Sequence, residues 1–130
     1  MAGLVLIVED DEDVREFAVR VLRDGGFQVL EAVNGGVALV LLEQDLPIDL
    51  LFTDIVMPGE PDGVGLAERA LALRPQLRVL YATGYAGSHR LDPATMHGEL
   101  LQTPYGPNQL VAAIEHALAD EPALDRAGPG

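Results

Sequence analysis

The sequence predicts an α/β fold, a doubly wound parallel sheet with helices on both faces. Three observations carry this. Two short apolar runs, Leu4-Val5-Leu6-Ile7-Val8 and Leu50-Leu51-Phe52, have the length of strands and no polar alternation, as expected of strands buried on both faces. Strand-like runs alternate with segments of helical period along the whole chain. Each of these two runs is closed by acids, Glu9-Asp10-Asp11-Glu12-Asp13 after the first and Asp54 after the second.

Taken in order, Leu4–Val8 is the first strand. Val14, Phe17, Ala18, Val21 and Leu22 follow at i, i+3, i+4, i+7, i+8, one face of an amphipathic helix. The acids at its start suit the positive end of the helix dipole, and Gly25-Gly26 stops it. Phe27–Val33 reads as a second strand, less buried because of Gln28 and Glu31 and therefore at an edge. Asn34-Gly35-Gly36 is a turn that can cap the next element, a second helix through Val37, Ala38, Leu41 and Leu42, ended before Pro47. Asp49–Asp54 is the third strand, and Met57–Gly63 a Gly/Pro-rich loop containing the Pro58-Gly59 turn. Leu66, Ala67, Ala70, Leu71 and Leu73 mark a third helix, ended by Pro75. Leu77–Thr83 is the fourth strand. Gly84–Gly98 carries the weakest pattern, and a short or mobile helix is expected there. Glu99–Thr103 is a short fifth strand before Pro104. Leu110, Val111, Ile114, Ala117 and Leu118 mark the last helix, with Pro107 near its first turn. Right-handed crossovers then give one five-stranded sheet with five helices. The first and third strands, being the most apolar, belong at its centre. The order is 2-1-3-4-5, the flavodoxin-like arrangement, whose crevice lies between strands 1 and 3. Residues 1–120 form one domain, and residues 121–130, rich in Pro, Ala, Gly and charge, read as a flexible tail or linker stub.

Composition narrows the function. The apolar fraction of 48% argues against disorder. A net charge of −13, from 21 acids against 8 bases, repels nucleic acid and anionic membrane. There is no cysteine, hence no disulfide framework or thiol chemistry, which fits a cytoplasmic protein. No signal-peptide pattern is visible, and no apolar run approaches the ~20 residues that a spanning helix needs.

The strand order brings Glu9, Asp10 and Asp54 to one edge, beside Thr83-Gly84 after strand 4 and Thr103-Pro104 after strand 5. Converging carboxylates repel and raise one another's pKa, and a hard divalent cation such as Mg²⁺ relieves this. Such a site favours phosphoryl transfer, with Asp54 as nucleophile, the Thr83 hydroxyl on a phosphoryl oxygen and the Val56 carbonyl on the metal. Each feature alone has a plainer reading. An acidic run can be a solvated helix cap, Asp-x-x-x-Pro-Gly a turn, and Thr83 a strand residue. It is their joint spacing that is specific. His89, His97 and His116 have no carboxylate or second histidine at useful spacing and read as surface residues, so zinc is not expected.

On these stretches the sequence resembles the receiver domain of bacterial two-component response regulators, from Leu4 to about Leu118. The matching segments are Val5–Asp11, Asp49–Gly59, Asp62-Gly63, Leu80–Gly84 and Thr103–Tyr105. The Thr-Gly-Tyr wording is most similar to receivers associated with hybrid histidine kinases. The resemblance implies that Asp54 is the phosphoacceptor, that Glu9 and Asp10 hold Mg²⁺ with the Val56 carbonyl, and that Thr83 follows the phosphoryl group. It implies a phosphohistidine donor on a histidine kinase or phosphotransfer domain, and a downstream protein partner on the face of the fourth helix, fifth strand and fifth helix. Such a domain is not a turnover enzyme; it phosphorylates and dephosphorylates only itself.

Two departures stand out. The family places a lysine where Thr103 stands, and this chain has no lysine. Its usual aromatic switch residue is Leu100 here, with Tyr81, Tyr85 and Tyr105 as candidates to substitute. Two readings follow, a phosphorylatable receiver with atypical switching and a degenerate receiver that binds partners without phosphorylation. An enzyme on the same fold, such as a flavin carrier or an aspartate-nucleophile phosphatase, fits less well. The turn after strand 1 is acidic, and no Asp-x-Asp motif surrounds Asp54.

Overall fold

The computed structural model describes residues 3–57, 61–84 and 97–119. The elements run β1 (Leu4–Val8), α1 (Glu12–Asp24), β2 (Gln28–Ala32), α2 (Gly35–Glu43), β3 (Leu50–Asp54), α3 (Gly63–Leu73), β4 (Arg78–Thr83), β5 (Glu99–Gln102) and α4 (Pro107–Ala119). The five strands are all parallel, in the order β2-β1-β3-β4-β5. This is the flavodoxin-like sheet expected from the sequence. Four helices lie among the described residues. The fifth expected helix, between Gly84 and Gly98, the Pro58-Gly59 turn and the 121–130 tail lie wholly or mostly outside them.

Side-chain alternation along the strands divides the core into two layers. On one face Leu4, Leu6, Val8, Leu51, Val79 and Tyr81 pack against Ala38 and Leu42 of α2 and Leu66, Ala67 and Ala70 of α3. On the other, Val5, Ile7, Leu50, Phe52, Leu80 and Ala82 pack against Ala18 and Leu22 of α1 and Leu110, Ile114 and Ala117 of α4. Burying each larger aliphatic side chain contributes about 1.5–3 kcal/mol. That is why β1, with all five residues buried, is at the centre, and β2, with Gln28 and Glu31 exposed, is an edge.

Three helices begin on a side-chain cap. Asp11 accepts the Val14 N–H (3.1 Å), Asn34 that of Val37 (2.9 Å) and Asp62 that of Gly65 (2.9 Å). The second of these bears out the cap expected at Asn34-Gly35-Gly36 and corrects the turn. Asn34 is the cap, and Gly35 and Gly36 lie inside α2 rather than in a turn. Close packing explains the glycine there, because a Cβ on Gly35 would lie 2.7 Å from the Pro61 carbonyl oxygen. Strand ends also shift by a residue. Asp49 lies before β3, where its carboxylate accepts the Leu4 N–H (2.9 Å). Thr103 lies just past β5, although its N–H still donates to the Thr83 carbonyl (2.9 Å).

Candidate functional site

The register of the central strands builds the site. Val8 pairs with Thr53, and Asp54 with Ala82, so the residues following β1 and ending β3 emerge side by side. Ligand-capable carboxylate oxygens of Glu9, Asp10 and Asp54 all lie within 4.8 Å of one another, the only such group of three among the described residues. They open onto a cavity of about 770 Å³, and Val56, Thr83, Gly84 and Thr103 also line it. Every residue singled out for the site from the sequence is therefore brought to one crevice.

The charges there are strained. Burial, foremost, and then the neighbouring Asp54 and Asp10 carboxylates push Glu9 up to about 7, against the pull of the Asp11 N–H. Burial and then the charge of Asp10 push Asp54 up to about 6. Loss of hydration, more than the mutual repulsion expected from the sequence, is the larger cause in both groups. Three oxygen donors this close, with two of their carboxyls raised toward neutrality, form a set that suits a hard divalent cation.

The hydroxyl residues are placed less simply. Thr83 is buried, and its hydroxyl donates to the Gly84 carbonyl (3.0 Å). It must rotate to serve a group on Asp54. Thr103 lines the cavity and carries no charge. Of the aromatic candidates, Tyr81 is fully buried, and its hydroxyl accepts the His97 N–H (3.3 Å), so it cannot act as a surface switch. Tyr85 lies outside the described residues. Tyr105 lines the cavity, with its ring 6.1 Å from Phe17 and 6.0 Å from Phe52, both in tilted contact. Burial, and secondarily the charges of Glu9 and Asp54, raise its hydroxyl to about 12. Leu100 is 45% exposed on β5. His116 does meet a carboxylate, that of Glu99 at 3.0 Å, which sequence spacing could not reveal because the two lie 17 residues apart. Both side chains are exposed, which leaves the surface reading of His116 intact.

Sequence reasoning also missed Val14 and Phe17 as cavity residues, having assigned them only to the core face of α1. Their exposures of 37% and 39% mark the end of α1 that overhangs the crevice rather than the sheet. It missed Arg15 as well, whose Nη1 donates to the Glu9 carbonyl (2.9 Å).

Comparisons with known proteins agree on one family. The chain matches the response regulator receiver domain family over residues 5–115. It is 39% identical over 117 residues to the response regulator receiver protein CpdR of Brucella abortus, covering 88% of this chain and 95% of that protein. It is 33% identical over 120 residues to the sensor kinase CckA of the same organism, covering 90% of this chain and 13% of the kinase. Among solved structures, the receiver domain from the hybrid histidine kinase CckA matches with a TM-score of 0.75 and 32% identity, covering 89% of this chain and 99% of that one.

Proposed function

The chain belongs to the response regulator receiver domain family, a signalling domain of two-component systems, and on that premise we propose that it accepts a phosphoryl group from a histidine kinase or phosphotransfer domain onto Asp54, with Mg²⁺. The observation that carries the reading is the convergence of Glu9, Asp10 and Asp54 within 4.8 Å at the carboxyl edge of the sheet.

A carboxylate oxygen of Asp54 attacks the phosphorus of a phosphohistidine. The new P–O bond forms as the P–N bond breaks, and the electron pair leaves with the imidazole nitrogen, which then takes a proton. With its carboxyl near 6, Asp54 is mostly ionised at neutral pH and is nucleophilic without a separate base. Glu9, Asp10, Asp54 and the Val56 carbonyl would hold Mg²⁺, which neutralises charge on the transferring group when bound. The Thr83 hydroxyl exchanges its bond to the Gly84 carbonyl for one to a phosphoryl oxygen. Thr103 donates one neutral hydrogen bond where the family has an ammonium, so switching is atypical. The domain carries out only its own phosphorylation and dephosphorylation. Its downstream contact is the face that includes β5 and α4, where Leu100 is exposed.

Intact-mass measurement with acetyl phosphate and Mg²⁺ tests this. A phosphoryl-sized gain is expected, absent in Asp54→Asn and absent with EDTA. Retention of the adduct in the mutant would sink the assignment. The neutral Thr103 favours one second reading, a receiver that docks on its partner without phosphorylation. That reading requires equal partner affinity with and without phosphodonor, and a clear rise on phosphorylation excludes it.

A further inference from the structure

Glu9 sits where the β1 ladder ends, and three contacts fix it. Its N–H donates to the Ala32 carbonyl (3.1 Å). Its carboxylate accepts the Asp11 N–H (3.0 Å). Its carbonyl accepts Arg15 Nη1 (2.9 Å). The Arg15 side chain is only 13% exposed, and its Nε meets Glu31 on β2 at 3.3 Å. A surface ion pair alone contributes little, and a mostly buried guanidinium needs good acceptors to offset lost hydration. Here one acceptor is the main chain of a residue in the acid cluster, and the other is the edge strand.

We propose that Arg15 is a positioning residue of the cation site. Its guanidinium holds the Glu9 main chain, through the bond to the Glu9 carbonyl, so that the Glu9 carboxylate faces Asp10 and Asp54. This role rests on the Mg²⁺-receiver reading above. The tie spans α1, β2 and the loop after β1, so its loss frees Glu9 at the carbonyl while leaving the other two contacts. Partners of ligating residues commonly change metal affinity 10–100-fold, and a single tie on one of several donors belongs at the low end.

The test titrates Mg²⁺ into the full chain by calorimetry, with thermal melts alongside. Arg15→Met keeps the aliphatic stem and removes the donors, and is expected to weaken Mg²⁺ about tenfold. Arg15→Lys can satisfy one acceptor at a time and is expected to fall about threefold below wild type. Glu31→Gln breaks the ion pair but leaves the bond to Glu9, so its affinity should stay within about twofold of wild type whatever its melt does. A purely structural tie would lower the melting temperature and leave Mg²⁺ affinity unchanged. Wild-type affinity in Arg15→Met, or equal weakening in Glu31→Gln, would overturn the role. If Arg15→Met does not fold, Arg15→Lys decides: threefold weakening supports the role and wild-type affinity overturns it. A wild-type chain that binds no Mg²⁺ at millimolar concentration would overturn the receiver chemistry itself.

Discussion

Replacing Asp54 with asparagine is expected to stabilise the metal-free protein. The Asp54 carboxyl moves from 3.8 to about 6 on folding, chiefly through burial and then through the charge of Asp10. Its folded form therefore holds the proton more tightly than the unfolded chain does. Between these two values the native state binds more protons, so stability falls as pH rises through the window and the full cost is present above it. At about 1.36 kcal/mol per pH unit the ceiling is about 3 kcal/mol. Asp54 is only partly buried and water screens it, so about half of that, roughly 1.5 kcal/mol, is the working figure. Asparagine keeps the shape and cannot ionise. Urea unfolding at about pH 8 in EDTA should show Asp54→Asn more stable by roughly 1.5 kcal/mol, or a few degrees in Tm. The gain should shrink as pH is lowered toward 4. It should also shrink when Mg²⁺ is added at pH 8, because only the wild type gains binding free energy from its full ligand set. A mutant no more stable than wild type at pH 8, or a gain independent of pH, would refute the electrostatic account.

Three further outcomes follow from the same geometry. Thr103→Lys places an ammonium at the cavity and should draw the Asp54 carboxyl down, readable by NMR titration, and strengthen phosphorylation-dependent partner binding; an unmoved titration would mean that position 103 does not face Asp54. Gly63→Ala should cost more than about 2 kcal/mol in urea unfolding, since its Cβ would lie 2.1 Å from the Asp54 carbonyl oxygen and 2.7 Å from the Ile55 Cα, where backbone must move. Tyr105→Phe should leave stability within about 1 kcal/mol, whereas Tyr105→Ala, which removes a half-buried ring packed on Phe17 and Phe52, should cost about 2 kcal/mol, below the range for a fully buried aromatic.

The sheet was legible because each central strand announces itself. Leu4–Val8 is apolar at every position, and Gln28 and Glu31 betray an edge. Acids at strand ends likewise marked the crevice, because strand order alone dictates which ends meet. What remained hidden depends on contacts across the fold. Gly35 looked like a turn residue because its reason for being glycine, the Pro61 carbonyl, lies 26 positions away. Tyr81 looked available until the sheet buried it. Arg15 looked like one more charge on a helix, and only its contact with the Glu9 carbonyl gives it a place at the site.

Whether Asp54 carries the phosphoryl group is decided by one measurement. The wild-type chain is treated with acetyl phosphate and Mg²⁺, reduced with borohydride, which cleaves an acyl phosphate to the alcohol, and mapped by tandem mass spectrometry. A reduced side chain is expected at position 54, dependent on both reagents. Reduction at another acid, or at none, would exclude Asp54 as the acceptor.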